Sequence, residues 1–114
     1  LLGEKFDIKS AIFIGIGAVD RAKIGVFANG EYKTRTIEGN LEIVSLIGNI
    51  AMRDDEPFVH AHITLSDING TYAGHLFEAR VSVTAEIFMI VLKGEITRSF
   101  DKITGLYLLN LPTL

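Results

Sequence analysis

The sequence predicts an α+β fold in which a mostly antiparallel β-sheet dominates and helices are few. Two Asn-Gly pairs lie between apolar runs: Asn29-Gly30 is a strong signal for a type I′ hairpin, and Asn69-Gly70 is a second hairpin signal. The runs themselves are rich in Val and Ile and partly alternate with polar residues, which is typical of strands. Residues 4–10 form the only helical candidate, interpreted as the end of a helix. The prediction is one compact domain over residues 1–114.

The first strands are predicted around the first Asn-Gly turn. Residues 11–19 are apolar and rich in Ile and Gly, which suits a buried strand. Within this run Gly15 and Gly17 lie on one face, where another backbone or side chain can approach closely. Residues 23–28 are predicted as a second strand, and residues 31–37 as its hairpin partner.

A longer apolar run over residues 41–52 follows, with a break near Gly48-Asn49. Residues 53–56 are predicted as a polar turn, and Pro57 closes it. Residues 58–66 then alternate as a strand with two distinct faces. One face carries Phe58, His60, His62 and Thr64, and the other carries Val59, Ala61, Ile63 and Leu65.

The second half of the chain contains the remaining predicted strands. Residues 71–74 follow the second Asn-Gly turn and lead into residues 75–78. Residues 81–92 are apolar and β-branched, which favours a strand. Residues 106–111 are predicted as a last apolar strand. Arg98 and Asp101 are interpreted by default as a surface ion pair, and the alternative is a pair that lines the site.

Composition limits the classes of partner. At 48% hydrophobic residues the chain is apolar for a small monomer, so part of its surface is expected to be buried between subunits. The lack of cysteine excludes disulfides and thiolate metal sites and fits a cytoplasmic protein. A net charge of −3 disfavours the broad basic surface that nucleic acids require. We expect no membrane-spanning segment, because no apolar run reaches about eighteen residues.

The three histidines of the chain form the most specific chemical pattern. They all lie between His60 and His75. His60 and His62 are separated by one residue, so a strand places both imidazoles on the same face. His75 follows a turn, and a neighbouring strand can return it beside the pair. Three converging imidazoles predict a metal site with an open coordination position, most simply for zinc, although copper, nickel or iron also suit imidazole.

Other polar residues could support such a site. Glu78, Asp67 and Thr64 lie within reach along the chain as partners that orient the imidazoles. A metal-bound water would make catalysis possible, with Glu78 as a base, but no nucleophile or cofactor motif accompanies it. Whether the chain is an enzyme therefore stays open. The alternative is that the histidines are hydrogen-bonded structural residues.

A series of motifs resembles the plants and prokaryotes conserved (PPC) domain and covers nearly the whole chain. In order, these motifs are Gly15-Ile16-Gly17-Ala18-Val19, Gly48-Asn49-Ile50, Pro57-Phe58-Val59-His60-Ala61-His62, Gly74-His75-Leu76, Thr84-Ala85-Glu86 and Thr104-Gly105-Leu106. The resemblance implies a compact α/β domain with a largely antiparallel sheet that assembles as a homotrimer. It also supports a site at His60, His62 and His75.

The resemblance leaves several functions open. Plant members carry the domain after a DNA-binding AT-hook, but this chain has no Arg-Gly-Arg-Pro segment, and the DNA-binding label of many prokaryotic members rests on analogy. Family members usually open with an Arg-bearing strand and a helix, and residues 1–114 lack that opening strand. We expect an oligomeric metal- or small-molecule-binding domain. The alternatives are a DNA-binding or transcription-associated protein and a structural assembly or protein-interaction module.

Overall fold

The computed structural model describes residues 7–111, which contain six β-strands. The strands are β1 (Ala11–Ala28), β2 (Glu31–Arg53), β3 (Glu56–Asp67), β4 (Gly70–Val91), β5 (Arg98–Phe100) and β6 (Tyr107–Leu109). The part of the chain that the structure describes contains no helix, so the predicted α+β class is wrong for these residues. Of the helical candidate, residues 4–6 lie outside the described range. Residues 7–10 are not helical, because Asp7 has a φ of 55°, which a right-handed helix cannot accept.

The four long strands form a closed antiparallel ring. Strand β1 pairs with β2 on one side and with β4 on the other. Strand β3 joins β2 to β4, so the sheet closes on itself. Strands β5 and β6 form a separate two-stranded sheet. The mostly antiparallel architecture is therefore as predicted. No helix within residues 7–111 is long and apolar enough to cross a membrane.

The observed strands are longer than the predicted ones. The runs at 11–19 and 23–28 belong to the single strand β1, and the runs at 31–37 and 41–52 belong to β2. Irregular register in β1, between Gly15 and Gly17 and between Val19 and Arg21, lets the strand continue where the sequence pattern breaks. Both predicted hairpins are confirmed, but only Asn29-Gly30 forms the turn itself with positive φ at both residues; the second hairpin turns at residues 68–69, and Gly70 already pairs with Asp67.

Inward-facing residues of the ring form the core. Leu41, Leu65 and Val19 are among its most buried side chains, each below 2% exposed. Strand β3 contributes alternate residues: Ala61 and Ile63, on the face opposite His60 and His62, are also buried. Because side chains alternate along a strand, this packing directs His60 and His62 to the outer face of the ring.

The glycines predicted to allow close approach do so. A Cβ atom at Gly17, whose φ is +155°, would lie 2.1 Å from the carbonyl oxygen of Thr84. A Cβ atom at Gly15 would lie 3.1 Å from the carbonyl oxygen of Glu86. Strand β4 therefore passes closer to β1 here than a larger residue would permit.

A large hydrophobic surface remains on the outside of the ring. We call it the outer apolar face, and it consists of Ile12, Ile14, Ile16, Ile47, Phe88 and Ile90. Ile14 lies directly opposite Phe88 on β4 and Ile47 on β2, and its own side chain is 59% exposed. Residues paired in this way share a face of the sheet, so the patch is continuous. A contiguous apolar patch of this kind is typical of an interaction surface.

Candidate metal centre

The three histidines meet where β3 and β4 pair. His62 lies directly opposite His75, and His60 precedes His62 by two residues on β3. The tight turn at residues 68–69 fixes this register, because it pairs Asp67 with Gly70 and every later pair follows from that one. The structure thus brings together the three residues that the sequence pattern grouped.

The imidazoles are close enough to share one ion. One ring nitrogen from each histidine lies within 4.8 Å of the other two. The ring centroids are 5.2 Å apart for His60 and His62, 5.1 Å for His60 and His75, and 5.7 Å for His62 and His75. The group contains three imidazole nitrogen donors and no carboxylate. Such a donor set suits a borderline cation such as Zn²⁺.

Two glycines let the backbones around the histidines approach closely. A Cβ atom at Gly48 would lie 2.4 Å from the carbonyl oxygen of His60, on the neighbouring strand. A Cβ atom at Gly74 would lie 2.6 Å from the carbonyl oxygen of Gly25. These glycines belong to the Gly48-Asn49 and Gly74-His75 motifs. The motifs therefore have a physical role, since they set the strand spacing that positions the histidines.

The His75 ring packs against aromatic side chains. Its centroid lies 4.9 Å from that of Tyr32 and 4.7 Å from that of Phe77. Its Nδ1 atom is buried and has no hydrogen-bond partner among the described residues. A buried polar atom left unpaired costs about 1–3 kcal/mol. A metal ion bound at this Nδ1 atom would supply the missing partner, so the residues present fit a metal.

Arg98 borders the group on the side of His60. Its side chain is only 9% exposed, and its Nη2 atom lies 3.4 Å from Nδ1 of His60. The same nitrogen donates a hydrogen bond of 2.8 Å to Oδ1 of Asn49, the cross-strand neighbour of His60. The predicted surface ion pair with Asp101 is wrong: Asp101 instead accepts hydrogen bonds from Thr104, which stabilise a turn. Arg98 alone therefore borders the site, and its position in a polar stretch of sequence did not indicate its burial.

The surroundings of His60 and His75 favour their uncharged forms. Burial lowers the pKa of His60, and the nearby charges of Arg98 and of the other two histidines lower it further. Burial and the proximity of His62 also lower the pKa of His75. Since these pKa values fall below the ordinary 6.5, both rings are neutral at pH 7. Neutral imidazole is the form that binds metals.

The residues predicted to orient the imidazoles have other contacts. Asp67 accepts hydrogen bonds from the backbone N–H groups of Asn69 and Gly70 and so shapes the β3–β4 turn. Glu78 forms an ion pair of 3.2 Å with Arg21. Thr64 lies on the same face of β3 as the histidines, one alternation beyond His62. Within the described residues, no hydrogen bond joins any of the three to a histidine, and their role at the site stays a prediction.

A pocket of about 460 Å³ adjoins the histidines. His60, His62 and Asn49 supply its polar edge, and its other walls belong largely to the outer apolar face. The cross-strand register explains this position: His62 pairs with Ile47, which pairs with Ile14. The histidine group therefore lies at the border of the outer apolar face.

Comparison with known proteins agrees with the motifs. The family model of the Plants and Prokaryotes Conserved (PCC) domain, the family also abbreviated PPC, matches residues 3–93. A plant- and prokaryote-conserved protein of Pyrococcus horikoshii is 44% identical, with a TM-score of 0.91 over 99% of this chain and 80% of that one. No curated protein matches the chain.

Two further crystal structures carry functional names. One is a metal-containing protein of Archaeoglobus fulgidus, 40% identical, with a TM-score of 0.89 over 96% of this chain and 80% of that one. The other is called a "Putative DNA-binding protein" and comes from Ralstonia eutropha; it is 30% identical, with a TM-score of 0.88 over 97% of this chain and 79% of that one. The match of sequence model and fold makes this chain a member of the Plants and Prokaryotes Conserved domain family.

Proposed function

We propose that this chain is a metal-binding protein whose centre consists of His60, His62 and His75, with zinc as the ion. The observation that carries the proposal is the convergence of three imidazole nitrogens within 4.8 Å, from positions on two paired strands. Three protein ligands leave a coordination position open, as in catalytic rather than structural zinc sites. A zinc ion there would polarise a bound oxygen or lower the pKa of a bound water.

Two further observations support this proposal. The relative from Archaeoglobus fulgidus, which is 40% identical, is called a metal-containing protein. The local environment also favours ligation, because the unpaired Nδ1 atom of His75 lacks any competing hydrogen bond among the described residues. A purely structural role would instead be expected to satisfy a buried imidazole nitrogen with a hydrogen bond.

Metal analysis of protein purified without chelators or added metal tests the proposal. We expect about one zinc ion per chain and a large loss of metal in His62→Ala, since the site then has two ligands. His62 is exposed, so this change removes a ligand with little effect on packing. Thr71→Ala is the matched control, because it shortens an exposed side chain on β4, four residues before His75, and should keep the metal. Wild-type protein with under about a tenth of an equivalent would contradict the proposal.

We also propose that copies of the chain associate through the outer apolar face. Phe88 and Ile90 are 75% and 62% exposed, and monomeric proteins seldom leave contiguous apolar surface of this kind in water. Three subunits is the number that the family resemblance implies. Because the histidines border this face, association would place the metal centre beside a neighbouring subunit. Light scattering on the purified protein measures the number of subunits.

DNA binding is the second candidate function, and the names of relatives support it. The Ralstonia eutropha relative bears a DNA-binding name. Electrostatics weigh against this function, because the chain has a net charge of −3 and phosphate binding usually requires clustered Lys and Arg. A gel-shift assay with duplex DNA at low salt tests this candidate. DNA whose mobility does not change would contradict DNA binding and leave the metal proposal untouched.

A further inference from the structure

Arg98 is a buried cation held by neutral groups. Its Nη1 atom donates to the carbonyl oxygen of Tyr107 at 3.0 Å, and its Nη2 atom donates to Oδ1 of Asn49 at 2.8 Å. Its Nε atom is buried and has no hydrogen-bond partner among the described residues. Arginine is rarely buried in this way unless an acidic group is paired with it.

The nearby acidic residues do not supply that charge. The ion pairs of the described residues involve Arg21, Lys33 and Arg80, and none includes Arg98. The histidine group contains no Asp or Glu. A buried charge without a counter-charge is costly. The region around His60 therefore carries a positive charge. Within residues 7–111, no carboxylate contacts Arg98 to balance that charge.

Metal binding increases this imbalance. A divalent ion on three neutral imidazoles adds two positive charges beside the one on Arg98. It also changes the contact with His60, because a guanidinium only donates hydrogen bonds. If the ion binds Nε2 of His60, the proton moves to Nδ1 and two donors face each other. If the ion binds Nδ1, it replaces the contact. In both cases Arg98 loses an acceptor.

We infer that the metal centre binds a small oxyanion, such as a carboxylate, at its open coordination position. In this inference Arg98 supplies the positive charge that favours the anion over a neutral ligand. The inference rests on the proposed metal site and specifies the class of ligand that the site takes. Arg98 acts on the anion through its charge and through its hydrogen bond to Asn49, which lines the adjoining pocket. It is a positioning residue rather than a metal ligand.

Spectroscopy on the Co²⁺-substituted full chain tests this inference, because the visible absorption of Co²⁺ reports its coordination. The probes are acetate and its neutral analogue acetamide, each titrated into the metal-loaded protein. We expect acetate to change the spectrum in a saturable way and acetamide to leave it unchanged. Arg98→Met should bind Co²⁺ and weaken acetate binding about tenfold or more, because a charge close to the anion is lost.

Two variants separate charge from structure. Arg98→Lys keeps the positive charge and should retain more of the acetate affinity than Arg98→Met does. Arg80→Met removes the same charge at a side chain that is 67% exposed and paired with Asp20, and should bind acetate like the wild type. If Arg98→Met fails to fold, two measurements still test the anion inference. These are the comparison of acetate with acetamide on the wild type and the acetate titration of Arg98→Lys.

The outcomes distinguish failure of the anion inference from failure of the proposed metal site. Protein that binds Co²⁺ but responds equally to acetate and acetamide, or to neither, overturns the anion inference and leaves the metal site intact. Equal acetate affinity in Arg98→Met and wild type also overturns it. Protein that binds no Co²⁺ overturns the proposed metal site and the anion inference with it. A saturable response to acetate that depends on Arg98 supports both.

Discussion

Replacing Gly48 with alanine should destabilise the fold and disturb the metal centre together. The added Cβ atom would lie 2.4 Å from the carbonyl oxygen of His60 and 2.5 Å from Cζ of Phe13. Carbon atoms pack at about 3.5–4.0 Å, so Phe13 would have to move by about 1 Å. The carbonyl of His60 belongs to the backbone of β3 and cannot move without pulling that strand away from β2.

The expected loss of stability follows from these contacts. Overpacking a well-packed site costs about 1–3 kcal/mol, and losing a backbone hydrogen bond between β2 and β3 adds about 1 kcal/mol. We therefore expect a loss of about 2–4 kcal/mol in the free energy of unfolding. At roughly 4 °C per kcal/mol for a chain of this size, the Tm should fall by roughly 8–16 °C.

Thermal unfolding followed by circular dichroism, at matched protein and metal concentrations, measures the effect. Gly70→Ala is the control, because a Cβ atom there meets nothing within 4 Å and the backbone is not in the left-handed region. We expect its Tm to stay near the wild-type value or rise slightly. A Tm for Gly48→Ala within about 2 °C of wild type would refute the reasoning, because the strands would then have separated at almost no cost.

Two further predictions concern protonation and assembly. Because burial lowers the folded-state pKa of His60 and His75 below 6.5, the unfolded state binds more protons just below that pH. Metal-free protein should therefore lose stability in urea as pH falls through about 6.5. The variant His60→Gln should depend less on pH, and an unchanged pH dependence would contradict the lowered pKa of His60. Ile14→Glu should dissociate the assembly in light scattering, since Ile14 lies within the outer apolar face. Ile68→Glu is the control and should leave the assembly intact, because Ile68 is a fully exposed turn residue. Equal masses for the two variants would exclude association through this face.

Local chemistry made the hairpins and the histidine group predictable. Asn29 and Gly30 both adopt positive φ, of 53° and 80°, as the type I′ turn requires. Alternation along β3 then placed His60 and His62 on one face, and the turn at 68–69 brought His75 opposite His62. Each of these inferences depended on neighbours in the sequence.

Features that depend on distant residues were not predictable from the sequence. Propensity and alternation do not reveal that β1 pairs along its length with both β2 and β4, because that pairing joins residues as far apart as Ala11 and Val91. Arg98 shows the same limit: a charged residue in a polar stretch is ordinarily exposed, but here β5 packs against β2 and the guanidinium bonds to Asn49 and Tyr107, both distant in the sequence. Within residues 7–10 the predicted helix end is absent, because the sequence alone did not show the positive φ at Asp7.

The closed ring has a consequence for the order of folding. All three histidines belong to one hairpin, β3–β4, whereas ring closure requires the ends of β1 and β4 to meet from opposite parts of the chain. Closing a short loop loses less conformational entropy than closing a long one, and distant strand pairings form slowly. The donor set can therefore assemble on the hairpin before the ring is complete. A metal ion captured at that stage would hold β3 and β4 in register, and refolding should then be faster with the ion present than without it.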